Sequence, residues 1–177
     1  IMKTLVIIPS RMSATRLPGK PLLKINGLSI ISHVSKKAEE ANIGDVIVAS
    51  EDQEIIDDVK RNGFNAILTS NKHKTGTDRI HEALKKSYIK NVDFIMNLQG
   101  DEPAIDIKDI VSLNDKMTQN TFNIGTLAAI IKDKKNLKNE NIVKVITENS
   151  LEDKNFPRGI SFLRKSEQIK NIYHHIG

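Results

Sequence analysis

The 177-residue chain contains no cysteine, which excludes disulfides, thiolate nucleophiles and cysteine-bound metals at once. It has no tryptophan either, and aromatic residues amount to only 4%, so few rings are available for stacking nucleic-acid bases. No apolar run approaches the ~18 residues of a membrane-spanning helix. Nor does a basic segment followed by an apolar core open the chain. The expectation is a cytoplasmic protein without membrane insertion. Two glycine patterns are missing as well. A P-loop ending at Gly19-Lys20 needs glycine where Ala14 stands and Ser or Thr where Pro21 stands. No glycines have the spacing of the dinucleotide fingerprint, which argues against a nicotinamide enzyme.

Charge is plentiful and unevenly typed. The net charge is +5, but only six of the 27 basic residues are arginine. The lysines fall on amphipathic segments such as Lys36-Lys37, Lys85-Lys86 and the stretch 132–138, which read as solvated faces and not as a nucleic-acid footprint. Arginine, whose planar fork suits phosphate and carboxylate, instead gathers near candidate motifs as Arg11, Arg16, Arg79 and Arg158.

The length predicts one domain with a full core. Apolar runs at 4–8, 45–49, 65–68, 92–98 and 124–131 read as strands. Helical patterns at 30–41, 52–62, 77–87 and 106–117 separate them. This alternation predicts an α/β fold, a mostly parallel sheet with helices on both faces, and ligands bound beyond the carboxyl ends of the strands. After Asp133 the pattern weakens, with short strands expected at 143–146 and 160–163.

Three loops follow predicted strands. The first, in "LVIIPSRMSATRLPGKPL" at 5–22, carries Arg11, Arg16 and Lys20 among Ser13, Thr15 and Gly19. Its amides and cations suit a polyphosphate, although an ordinary basic surface loop has the same composition. The second, "MNLQGDEP" at 96–103, brings Gln99, Asp101 and Glu102 to the same sheet edge. Mg²⁺ favours one or two protein carboxylates completed by substrate phosphates; a turn in which a carboxylate merely caps the next segment is the plainer account. The third is "HKTGTDR" at 73–79. Thr77 is expected as a helix N-cap with Asp78 in the first turn. Thr75, Gly76 and Arg79 are left over, Gly76 for close approach of a base or ribose and Arg79 to orient a carboxylate. Among the histidines, His33 and His81 read as structural or exposed. His174 and His175 are adjacent on a strand, hence on opposite faces and poorly placed for joint metal ligation.

Taken in order, "IIPSRMSATRLPGKPL", "TGTDR" and "NLQGDEP" resemble the 3-deoxy-manno-octulosonate (Kdo) cytidylyltransferases, the CMP-Kdo synthetases of lipopolysaccharide assembly. "NENIVKV" at 139–145, Arg158 and "HIG" at 175–177 extend the likeness over essentially the whole chain. The family usually has Ala where Ser10 stands and Ser where Pro157 stands. The resemblance implies a nucleotide-diphospho-sugar transferase (Rossmann-like) fold, CTP and Kdo as substrates, Mg²⁺ as cofactor and a homodimer at full length. Position by position, it implies that Arg11, Ser13, Arg16 and Lys20 hold the triphosphate, with Thr75 and Gly76 beside the nucleotide. Gln99 would contact nucleotide or sugar, and Asp101 would bind Mg²⁺. Arg79, Arg158 and His175 would face the sugar acid, and Lys20, Arg11 and Asp101 would carry the catalysis. Because family members are longer, residues 1–177 are expected to form a single nucleotidyltransferase domain lacking its C-terminal portion. The alternative is a truncated, non-catalytic nucleotide-binding remnant.

Overall fold

A computed structural model describes residues 2–13, 17–120, 122–153 and 156–177. The chain falls into two compact units, Ile1–Thr118 and Gln119–Gly177. In the first, β1 (Thr4–Ser10) is followed by the short hairpin of β2 (Lys24–Ile25) and β3 (Leu28–Ser29). Then come α1 (Ile30–Glu40), β4 (Gly44–Ser50), α2 (Gln53–Arg61), β5 (Ala66–Leu68), α3 (Gly76–Lys86) and β6 (Phe94–Asn97), with α4 (Ile107–Gln119) closing the series. The main sheet runs β5-β4-β1-β6 with every pairing parallel.

Period-2 patterning explains why helices cover both faces. Val6, Ile8, Val46 and Val48 point one way, into a core shared with Ile31 and Val34 of α1, Ile55 and Val59 of α2, and Ile110 of α4. Leu5, Ile7, Ile47 and Ala49 point the other way, against Ile80 and Ala83 of α3. The β1 side chains from Leu5 to Ile8 are wholly buried, each contributing about 1.5–3 kcal/mol. The apolar run that opens the sequence is thus the central strand, and its carboxyl end is held firmly in place.

The second unit is different. Its strands β7 (Ala128–Ala129), β8 (Lys144–Thr147), β9 (Gly159–Leu163) and β10 (Ile172–His175) form an antiparallel sheet in the order β7-β10-β8-β9. The strand expected over 124–131 contracts to two residues, because only His174 and His175 of β10 pair with it; Ile124 and Ile130 stay exposed. Lys144 is fully buried. Its Nζ donates to the carbonyl oxygens of Asn139 (2.7 Å) and Arg164 (2.6 Å), and burial foremost, with Arg164 nearby, pushes its pKa below the usual lysine value. Among the described residues, no helix is long and apolar enough to cross a membrane.

Candidate functional site

The site grows from the end of β1. Because β1 and β6 run parallel, with Ile7 opposite Asn97, both chains leave the sheet at the same edge. Leu98 N–H donates to the Ile7 carbonyl as the last rung. Pro9, two residues on, faces the same side beyond that rung, so its missing N–H removes no ladder bond. Gly100 then crosses over Pro9. A Cβ on Gly100 would lie 2.9 Å from the Pro9 carbonyl oxygen and 3.2 Å from Ile31 Cδ1. Only glycine fits this approach without displacement.

The first loop is fastened at Met12. Its N–H donates to Asp52 Oδ2 at 2.8 Å, and its carbonyl accepts from Gly19 N–H at 3.0 Å. Gly19 adopts φ 77°, a left-handed conformation suited to glycine, and leads into a single 3₁₀ turn, Lys20–Leu22, with Pro21 buried. Lys20 Nζ donates to the Asp101 carbonyl at 3.3 Å and lies 3.6 Å from that residue's Oδ2. Arg11 and Ser13 are exposed, and Arg16 lies outside the described residues. The Asp101 turn is braced from behind, Lys37 Nζ of α1 donating to the Ile105 carbonyl at 2.9 Å.

The third segment corrects one expectation. The N-cap of α3 is Thr75 and not Thr77: Thr75 Oγ1 accepts from Asp78 N–H at 3.2 Å and donates to Asp78 Oδ2 at 2.7 Å. Asp78, three residues after the cap, accepts from the Thr75 hydroxyl while its own N–H donates to Thr75 Oγ1, a pairing Thr77 could not make with Ile80, and Gly76 is drawn into the first turn, against the Pro9 ring. Two charged side chains of α3 hold the preceding loop. Arg79, 4% exposed, donates from Nη1 to Thr69 Oγ1 at 2.5 Å and to the Ser70 carbonyl at 3.3 Å, and from Nη2 to Glu51 Oε2 at 2.5 Å. Glu82 accepts from Ser70 N–H at 3.0 Å, contacts the His73 ring through the same oxygen, and pairs with Lys86 at 2.7 Å. Lys86 foremost, then the Ser70 amide and His73, hold the Glu82 carboxyl down at about 2.

Together these segments bound a cleft of about 540 Å³, within the range of small-molecule sites. Arg11, Lys20, Thr75, Gly76, Arg79, Gln99 and Asp101, all singled out in the sequence, line it. Ser13 is not among the lining residues. Ser10, which stands where the family usually has Ala, lines it too, as do His73 and Lys74, not singled out as candidates; the last two open the "HKTGTDR" motif, so position after a strand would have found them. Arg79 is buried with its fork turned to Glu51, so the carboxylate it orients belongs to this chain. Asp101, with its side chain 58% exposed at the cleft beside the cations, offers the oxygen donor that suits Mg²⁺ when phosphates supply further ligands.

Arg158 and His175 belong to the second unit. Arg158 is exposed just before β9, its carbonyl accepting from Glu148 N–H. His175 Nε2 lies 2.9 Å from Thr126 Oγ1, and its ring meets Phe162 edge-on at 5.0 Å. Burial foremost, with His174 adding to it, pushes its pKa below the ordinary histidine value.

Known proteins share this architecture. The family described as Cytidylyltransferase matches residues 5–177. A 3-deoxy-manno-octulosonate cytidylyltransferase of Rhizobium etli is 42% identical over 98% of this chain and 69% of its own length. One from Rhodopseudomonas palustris is 43% identical over 99% and 72%. Among solved structures, a CMP:2-keto-3-deoxy-manno-octonic acid synthetase complexed with CTP superposes with a TM-score of 0.85 at 32% identity, covering 99% of this chain and 72% of that one. A 4-diphosphocytidyl-2C-methyl-D-erythritol synthase, at 14% identity and a TM-score of 0.57, shares the fold alone.

Proposed function

The chain belongs to the 3-deoxy-manno-octulosonate cytidylyltransferase family, and from that premise we propose that it couples CTP and Kdo to CMP-Kdo and pyrophosphate. The observation that carries this reading is the meeting of Arg11 and Lys20 with Asp101 around one cleft at the strand ends. Among the described lining residues, neither hydroxyl, of Ser10 or of Thr75, is hydrogen-bonded to a histidine that would activate it for covalent catalysis. What the lining supplies is two cations and a carboxylate, the apparatus of phosphoryl transfer by positioning and electrostatics.

In the reaction, the anomeric hydroxyl of Kdo attacks the α-phosphorus of CTP in line, and the bond to pyrophosphate breaks. Arg11 and Lys20 hold the triphosphate, and Lys20 stays with the charge that leaves. Thr75 and Gly76 present backbone beside the nucleotide, and Gln99 reaches nucleotide or sugar. Asp101 would hold Mg²⁺, which when bound neutralises charge building on the phosphate oxygens. Arg158 and His175 are assigned to the sugar acid. The same reading carries a cytoplasmic homodimer, checked by sedimentation.

The test is pyrophosphate release from CTP that depends on both Kdo and Mg²⁺. Absence of release, or equal release with sialic acid, would overturn the reading; CTP binding without any turnover would point to the non-catalytic remnant instead.

A further inference from the structure

Asp52 occupies the N-cap of α2, where an aspartate side chain ordinarily turns back to accept an N–H from the helix's own first turn. It does not do so here. The main-chain half of the cap is intact, with the amides of Ile55 and Ile56 donating to the Asp52 carbonyl, but the side chain makes no capping bond. Its Oδ2 reaches instead to the Met12 amide at 2.8 Å, while its own N–H donates to Oγ of the fully buried Ser50 at 3.1 Å. A residue that forgoes its local role for a partner far away in sequence marks a constraint imposed from elsewhere.

That constraint is visible at Met12. With its amide held by Asp52 and its carbonyl by Gly19, both main-chain polar groups of Met12 are committed. Arg11 adjoins it directly, and Lys20 adjoins Gly19, so the two bonds fix where both cleft-lining cations leave the backbone. The charge of Asp52 works against an anion in the cleft, so its value there lies in the hydrogen bond. Resting on the triphosphate reading above, we infer that Asp52 is a positioning residue for nucleotide binding. It sets the separation of Arg11 and Lys20 through Met12 and touches no substrate itself.

Asp52→Ser and Asp52→Asn test this. Serine remains a good N-cap, so α2 is kept, but its side chain is too short to reach Met12. Asparagine keeps the acceptor and drops the charge. Measured by calorimetry and initial rates, Asp52→Ser should raise Kd and KM for CTP about tenfold. The KM for Kdo and kcat should stay within about twofold, the pattern of lost uniform binding. Trypsin should also cut the Arg11–Met12 bond faster in Asp52→Ser, a readout independent of turnover. Asp52→Asn should restore CTP affinity to at least the original level and restore resistance at that bond. Unchanged CTP affinity in the serine variant, or an asparagine variant as impaired as the serine one, overturns the inference. If the unaltered protein itself fails to bind CTP, the nucleotide reading is what falls, and the cleavage rates still decide whether Asp52 anchors the loop.

Discussion

Lys20 and Asp101 face each other across the cleft, the ammonium 3.6 Å from the carboxylate Oδ2 and donating to the same residue's carbonyl at 3.3 Å. The first loop's cation and the second loop's carboxylate are therefore paired before any ligand is considered. Both side chains remain well exposed, at 34% and 58%, so the pair itself adds little stability. Its consequence is positional: the group assigned to phosphate and the group assigned to metal are already neighbours.

Replacing either partner should separate their roles. Lys20→Ala should weaken CTP binding by tenfold or more, roughly the loss of a charged hydrogen bond. Lys24→Ala, on the exposed strand β2, should change it little. Asp101→Ala should abolish metal-dependent turnover with the fold intact, and metal-free CTP binding should hold or improve because Lys20 is released. Equal effects of the two lysine substitutions, or turnover persisting in Asp101→Ala, would remove these assignments. Calorimetry with and without Mg²⁺ supplies the comparison.

Gly100 is a second point of leverage. An added methyl meets the Pro9 carbonyl oxygen at 2.9 Å, and main chain cannot swing aside as a side chain does. Gly100→Ala should push the Gln99–Asp101 turn away from β1, at about 1–3 kcal/mol in stability. The larger loss should fall on kcat/KM, since misplacement by about 1 Å can lower rates a hundredfold. Urea unfolding beside initial rates checks the ratio; a stability loss with unaltered kinetics would free Gly100 of any part in shaping the site.

Much of this was legible in the residues. The Leu5–Ile8 run, the alternation of apolar segments and the three loops after strands predicted the parallel sheet and the edge at which Arg11, Lys20, Gln99 and Asp101 meet. What the pattern could not show is how the loops are fastened. Asp52, Glu51 and Glu82 look like ordinary acidic residues on or before helices, and their partners, Met12, Arg79 and Ser70, are found only once the chain is folded. The antiparallel second sheet was hidden for another reason. Strands are read at 124–131, 143–146 and 160–163, where β7, β8 and β9 fall, but β7 is two residues long and β9 is exposed along nearly its whole length, so neither has the buried face that specifies its pairing.

The Arg79–Glu51 pair yields a prediction of stability. Arg79 is 4% exposed and Glu51 18%, so removing one partner leaves a charge poorly served by water. Arg79→Ala should destabilise the protein by about 3–5 kcal/mol. Arg79→Lys should recover only part, because an ammonium cannot span Glu51 and Thr69 as the guanidinium fork does. In a double-mutant cycle, Arg79→Ala with Glu51→Ala should cost clearly less than the two single losses together. Additive losses, read from urea midpoints, would mean that the two side chains are not coupled.

Acid should act through Glu82. Lys86 first, then the Ser70 amide and His73, lower its pKa from 4.5 to about 2 in the folded protein. A carboxyl with a depressed folded pKa contributes stability that is complete above the unfolded value, near 4.5, and is lost as pH falls through about 2. The bonds lost on protonation are those that hold Ser70 and His73 to α3. Glu82→Gln should therefore be less stable than the parent at pH 7, and its stability should fall less between pH 4.5 and 2. Thermal melts of both proteins across that window measure the difference. Parallel curves would show that the carboxylate's charge is not what secures the loop. If the curves converge toward pH 2, the segment carrying His73, Lys74 and Thr75 to the cleft is held by an ion whose influence ends where its proton returns.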